Sequence, residues 1–187
     1  AIDPLVGLLE GDDDWALEEV PDVLGMIGPA AFEPLRAALA KWSLASSWPA
    51  AAAASGLTEI AKRFPEMRDT VVAALAKQLR WWARQDLDLN TLLVHDLVEL
   101  RAVEAAPVIE EAFAADAVNI GWGEDDWEDV QVALGLLPER ITPRPVYESP
   151  FRLGPRPLIR IVPPRPPASA RRKKPKKAAR RRKKRRR

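Results

Sequence analysis

After Pro138 the chain loses the means to build a core, and that confines any folded domain to the residues before it. Residues 138–187 hold 11 of the 18 prolines and few large apolar side chains, too little apolar area to offset the entropy of ordering a backbone. Charge divides at the same place. Residues 1–139 carry 9 Lys/Arg against 26 Asp/Glu, a formal charge of −17, whereas residues 140–187 carry 20 Lys/Arg against the single Glu148, or +19. The net charge of +2 is therefore a cancellation between two opposed halves, and such asymmetry points to a tail with a polyanionic partner. Three regions are expected: an acidic helical domain at 1–138, a Pro/Arg-rich linker at 139–170, and a disordered Lys/Arg-rich tail at 171–187.

The first region reads as all-α. Alanine and leucine abound, two-residue alternation is absent, and apolar residues recur at spacings of three and four. The pattern predicts helices near 3–10, 14–27, 30–41, 48–63, 66–84, 89–101, 104–115 and 126–134. Gly28-Pro29, Pro49, Phe64-Pro65 and Gly135 supply breaks and starts, as proline at a first turn and glycine past an end do. Pro21 is expected to split or kink the second helix.

These helices repeat in pairs. Leu24-Gly25-Met26-Ile27, Leu57-Thr58-Glu59-Ile60 and Leu97-Val98-Glu99-Leu100 each close a first helix and precede a second apolar one. The outer two units also share a proline, at Pro34 and Pro107. A period of this size built of two helices is the signature of an α-solenoid, in which no pair buries its apolar face alone. The expected architecture is a short solenoid of about three helix pairs plus a terminal helix, followed by the disordered tail.

The string Leu24-Gly25-Met26-Ile27-Gly28-Pro29-Ala30-Ala31 resembles the HEAT-like repeat, named in bacteria after the phycobilisome lyases. The stretch from about Trp15 to Leu137 is similar to a largely uncharacterised family of bacterial HEAT-like proteins. Ala102-Val103-Glu104-Ala105-Ala106-Pro107 and the run from Asp126 to Leu136 carry that likeness best. The resemblance implies a fold and leaves function open, because this repeat serves unrelated purposes. Some such proteins end in a cysteine-rich zinc motif; this chain has no cysteine, so no role that depends on that motif carries over.

Chemistry is sparse. One histidine, His95, cannot furnish the His-Glu pairs of a metal-dependent HEAT enzyme, and no partner makes it a general base. Asp12-Asp13-Asp14 and Glu124-Asp125-Asp126-Trp127-Glu128-Asp129 lack the alternating ligands and central glycine of a calcium loop. Asp14 and Asp125 or Asp126 instead stand where carboxylates cap helices. Gly121-Trp122-Gly123 is too short to cradle phosphate, and the serines form no triad. No enzyme activity, metal or cofactor is expected. A DNA glycosylase of HEAT-like fold would need a basic concave face, which a body of −17 does not offer.

Two features point to binding. Among seven tryptophans, Trp127 is expected in the core and Trp15, Trp42 and Trp48 between neighbouring repeats. Trp81 and Trp82, adjacent in a helix and so about 100° apart, cannot both face inward; the preferred reading is contact with an adjoining repeat or loop, and the alternative is a protein-binding spot. The second feature is the terminus. Arg171, Arg172, Lys173, Lys174, Lys176, Lys177, Arg180, Arg181, Arg182, Lys183, Lys184, Arg185, Arg186 and Arg187 are 14 cations in 17 positions, suited to nucleic acid or ribosomes through counterion release without sequence readout. No aromatic follows Phe151, so no stacking platform for single strands is present.

The function expected is a non-enzymatic scaffold whose helical repeats bind a protein partner while the tail holds nucleic acid or another polyanion. Autoinhibition or self-association, tail on body, is the alternative, and an enzyme with an acidic concave site is the second. No apolar run approaches the roughly 18–20 residues of a membrane span, no secretory signal is visible, and a cytoplasmic location is expected. Ala1 stands where a methionine would open a reading frame, as in a fragment or a processed form.

Overall fold

A computed structural model describes residues 2–11, 13–119 and 126–143. The residues described are helical, with no strand among them. In chain order the helices are α1 (Ile2–Leu8), α2 (Asp14–Ile27), α3 (Phe32–Trp42), α4 (Ser47–Arg63), α5 (Arg68–Leu79), α6 (Leu87–Glu99), α7 (Ala106–Ala114) and α8 (Trp127–Ala133). Short 3-10 turns at Gly28–Ala31, Pro65–Met67 and Val103–Ala105 lead into α3, α5 and α7. Each opening turn contains or adjoins a proline (Pro29, Pro65, Pro107), whose fixed φ suits a helix start and whose missing N–H costs nothing there.

Helices α2, α4 and α6 pack side by side in chain order, and α3, α5 and α7 do the same. The two sets meet through α3 on α4, α4 on α5 and α5 on α6, with α1 against α2 and α3 and α8 against α7. Leu24, Leu57 and Leu97, the leading leucines of the three sequence units, are all fully buried. Helix α4 touches α2, α3, α5 and α6, and its composition fits that position. Ala50 to Ala54 are all buried, because side chains no larger than a methyl let four neighbours approach one backbone. A helix apolar around its circumference belongs in a core.

The closest approach is between α2 and α4. A Cβ added at Gly25 would lie 2.5 Å from Glu59 Cβ, and one at Gly56 would meet the Leu35 methyls at 3.0 and 3.2 Å, with Pro21 Cα at 3.6 Å. Pro21 thus sits inside a continuous α2, and the expected split is not found; its buried ring belongs to the contact with Gly56. Gly28 ends the helix with φ +80°, a left-handed value that glycine adopts without steric cost. A Cβ there would also strike the Phe64 ring at 2.5 Å.

Further corrections concern ends and exposure. The helix expected over 66–84 stops at Leu79 and resumes as a 3-10 turn at Trp82–Arg84. Asp13, not Asp14, caps α2, accepting the N–H of Trp15 at 3.1 Å. Trp42 is buried, whereas Trp15 and Trp48 are exposed rather than wedged between repeats. Trp127 is half-buried against the core, its ring 5.9 Å from that of Phe113. The stretch Asp14–Trp42 is long and apolar enough to cross a membrane by length and composition, contrary to the sequence reading. It is two helices joined by the Gly28–Ala31 turn, and both pack on α4.

Candidate functional site

The break that the sequence reading missed is where the strongest candidate site lies. Helix α5 ends after Leu79, and the chain turns through Arg80 and Trp81, with the Trp81 N–H donating to Gln78 C=O at 3.0 Å and Arg84 N–H to Trp81 C=O at 2.8 Å. Trp82 turns inward and packs against the core, half-buried. Trp81 turns outward and is 47% exposed. The two rings diverge because a turn separates them from the helix, not because of helical geometry.

A polar chain holds this turn. Gln78 donates to Gln85 at 2.8 Å, Gln85 donates to Asn90 Oδ1 at 2.7 Å, and Asn90 Nδ2 donates to Trp82 C=O at 3.1 Å and Ala117 C=O at 2.9 Å. Asn90 is fully buried and spends its amide on two backbone carbonyls, so leaving it unpartnered would carry the whole desolvation cost. The sequence carries one trace of this arrangement, an asparagine among the apolar residues Leu89, Leu93 and Leu97.

Trp81 forms one wall of a cavity of about 270 Å3 between the C-terminal ends of α3 and α5. Leu39 and Ala40 line it from the first helix, Leu44 from the turn after that helix and Ala74 from the second helix, with Arg36 and Lys77 also in the lining. The Arg84 guanidinium lies 5.0 Å from the centre of the Trp81 ring, a cation–π contact that stiffens both. Leu44, like Trp81, is exposed.

The electrostatics around this groove are unlike those of the rest of the body. Arg36 pairs with Glu33 at 2.7 Å, Lys41 with Glu10 at 3.1 Å, Lys62 with Glu59 and Glu99, Arg63 with Glu59 and Asp22, and Arg68 with Asp69 and Glu104. Among the described residues, Lys77, Arg80 and Arg84, and Arg101 at the end of α6, have no ion pair, although acids outnumber bases 26 to 9 in residues 1–139. The negative end of α5 favours cations in its last turn by about 0.3–1 kcal/mol, which covers Lys77 and Arg80 but not Arg84 beyond it.

No family model, curated protein or solved structure matches this chain. The site must be read from its own chemistry. An apolar trough edged by an exposed indole and unpaired cations can seat an aliphatic or aromatic side chain whose neighbours are acidic. It contains no nucleophile paired with a base.

Two other groupings lie apart from the groove; the capping of α8 by Asp126 was expected, and the return of Arg140 to it was not. On α6, donor atoms of His95, Asp96 and Glu99 lie within 4.8 Å of one another, but Glu99 is held by Lys62 at 2.8 Å. Asp96 faces inward at 5% exposure, and neither its Oδ2 nor Thr58 Oγ1 has a hydrogen bond of normal geometry. Burial, reinforced by Glu99 and only partly countered by the Thr58 hydroxyl and Lys62, pushes the Asp96 carboxyl up to about 8. On α8, Asp126 and Asp129 form a reciprocal cap, and Arg140 comes back to bind both. Its guanidinium pulls Asp126 down to about 2. Arg140, which lies past the boundary expected at 138, is thus held against α8. The fourteen terminal cations, Arg171 to Arg187, the expected disorder and most of the linker lie outside the described residues, as do Gly121-Trp122-Gly123 and Asp125.

Proposed function

We propose that the chain is a non-enzymatic interaction module, in which the helical body docks a protein partner at the Trp81 groove and the cationic terminus holds nucleic acid or another polyanion. The observation that carries this reading is the exposed Trp81 indole on the apolar groove, with Lys77 in its lining, Arg84 stacked on the ring and Arg80 next to it in sequence, none of them in an ion pair among the described residues. An acidic partner segment with an apolar anchor would neutralise these cations and cover the indole. Tryptophan and arginine are also the residues on which interface energy concentrates. We read the body as a short HEAT-like solenoid. The side-by-side order of α2, α4 and α6, with α3, α5 and α7 alongside, supports that reading, as do the equivalent buried leucines.

The test is an in-cell photocross-linking experiment with the cross-linker placed at Leu44, on the groove edge. A discrete protein adduct is expected, and combining Arg80→Gln and Arg84→Gln should reduce it at least ten-fold while the far-ultraviolet spectrum stays unchanged. An adduct of undiminished yield in that variant would remove the groove from the account. The tail is tested separately. If about half of its cations contact phosphates, binding of duplex DNA should fall with a log–log salt slope near −6, and replacing the Lys/Arg of 171–187 by Gln should abolish it.

A further inference from the structure

Helix α2 opens with a side chain that its own fold leaves unused. Trp15 is 65% exposed, the most exposed tryptophan among the described residues, and it is not packed on the core. Its backbone N–H is held by the Asp13 cap at 3.1 Å, so the residue is anchored while the indole faces outward. Glu18 and Glu19 stand three and four positions further on, and so share a helix face with it. Asp14, Glu18 and Glu19 are exposed, and none of them is in an ion pair among the described residues. The start of α2 is therefore an apolar knob beside unpaired carboxylates.

The Trp81 groove is the chemical counterpart of this knob. Its volume, about 270 Å3, is on the scale of one large side chain, and Leu39, Leu44 and Ala74 give it apolar walls. Its cations are unpaired among the described residues: Lys77 in the lining, Arg84 on the Trp81 ring and Arg80 next in sequence. Knob and groove also stand at the same end of the helices. Lys41, near the end of α3, pairs with Glu10, just before α2, at 3.1 Å. The turn after α3 places Leu44 on the groove, while Ser46 and Trp48 beyond it line a second hollow with Gly11, Asp14 and Glu18. Trp15 lines neither hollow of its own chain.

We propose that the partner seated in the Trp81 groove is a second copy of this chain, which inserts Trp15 between the ends of α3 and α5 and sets Glu18 and Glu19 against Arg80 and Arg84. This occupant deepens the reading of the groove as a docking surface and rests on it. One end of the body carries both halves of the contact, so two copies related by a twofold axis make it twice. An indole covers a large apolar area at little cost in conformational entropy. Elsewhere, bodies with a formal charge of −17 over residues 1–139 repel one another. Meeting where cations face carboxylates is thus the orientation that charge selects.

The test is photocross-linking of the purified full chain, with the cross-linker at Leu44, read together with sedimentation velocity at rising concentration. A chain-to-chain adduct and a dimer are expected, and Trp15→Ala, a change at an exposed side chain, should lower the adduct yield at least about ten-fold. Exchange of charge gives a second readout. A chain carrying Glu18→Lys and Glu19→Lys should stay monomeric, and so should one carrying Arg80→Glu and Arg84→Glu, which lies outside α2. Mixing the two should restore the adduct, because one contact is then native and the other has both signs reversed. A dimer that survives either charge variant, or an adduct unchanged by Trp15→Ala, would overturn the proposal. A purified chain that stays monomeric while a cellular adduct with another protein persists would overturn this occupant and leave the groove standing. Absence of both adducts would remove the groove as well.

Discussion

Gly25 has no room for a side chain, and that makes its replacement informative. On an exposed helix, alanine in place of glycine adds about 1 kcal/mol of stability. Here the new methyl would lie 2.5 Å from Glu59 Cβ, an atom fixed to the α4 backbone, so α2 must move off α4. Gly25→Ala is expected to destabilise the chain by about 1–3 kcal/mol, the usual range for overpacking, measured by urea unfolding; a gain in stability would show that the two helices separate freely. Asp96 gives a prediction in pH. Its carboxyl, packed against Thr58 and facing Glu99, Glu59 and Lys62, titrates near 8 when folded against a reference of 3.8. Between those values the folded chain keeps a proton that the unfolded chain releases, so this group lowers stability progressively as pH rises from about 4 to about 8, and the loss is complete above that. Asp96→Asn removes the titration. It should match the parent near pH 4 and exceed it by about 1–3 kcal/mol at pH 8, the ordinary cost of a poorly satisfied buried polar group; parallel stability curves for the two would refute the assignment.

At the level of helices, chain ends show how much local sequence decides. Helices α6, α7 and α8 finish with the same device: a residue in the left-handed region (Arg101 φ 50°, Asp116 φ 52°, Gly135 φ 77°), after which an N–H reaches back to the carbonyl five residues before. Only Gly135 is the residue that the conformation favours. Asp116→Gly should therefore stabilise by about 1 kcal/mol, whereas Asp116→Ala should not; equal gains from both would trace the effect to charge instead. The prolines and the leucine spacing made the helix starts and the buried leucines legible, because those signals act within a turn or two of where they stand. The end of α5 was not legible, since Trp81 and Trp82 continue the apolar pattern and neither is a helix breaker. The turn is held from another helix, by Asn90 engaged with Trp82 and Ala117. Arg140 misled for the same reason. Nothing near it in the sequence says that a linker arginine folds back 14 residues to Asp126. The unpaired state of Lys77, Arg80 and Arg84 likewise became visible only in the folded chain.

For the whole molecule, the contact pattern and the charge division predict separate behaviours. Helix α4 is in contact with α2, α3, α5 and α6, so removing any of them strips one of its faces. Residues 2–119 are expected to unfold in one transition, with tryptophan fluorescence and circular dichroism coinciding. Amides along Ala50–Ala61 should exchange only through global unfolding; faster exchange there than in α2 or α6 would contradict this. The terminal cations, by contrast, should respond to salt and leave that transition untouched. An alanine-walled helix that four others lean on also sets how far a local event is felt. A segment seated at the ends of α3 and α5 would restrain two of the helices resting on α4, so its imprint in amide exchange should spread to α2 and α6 rather than remain a footprint around Trp81.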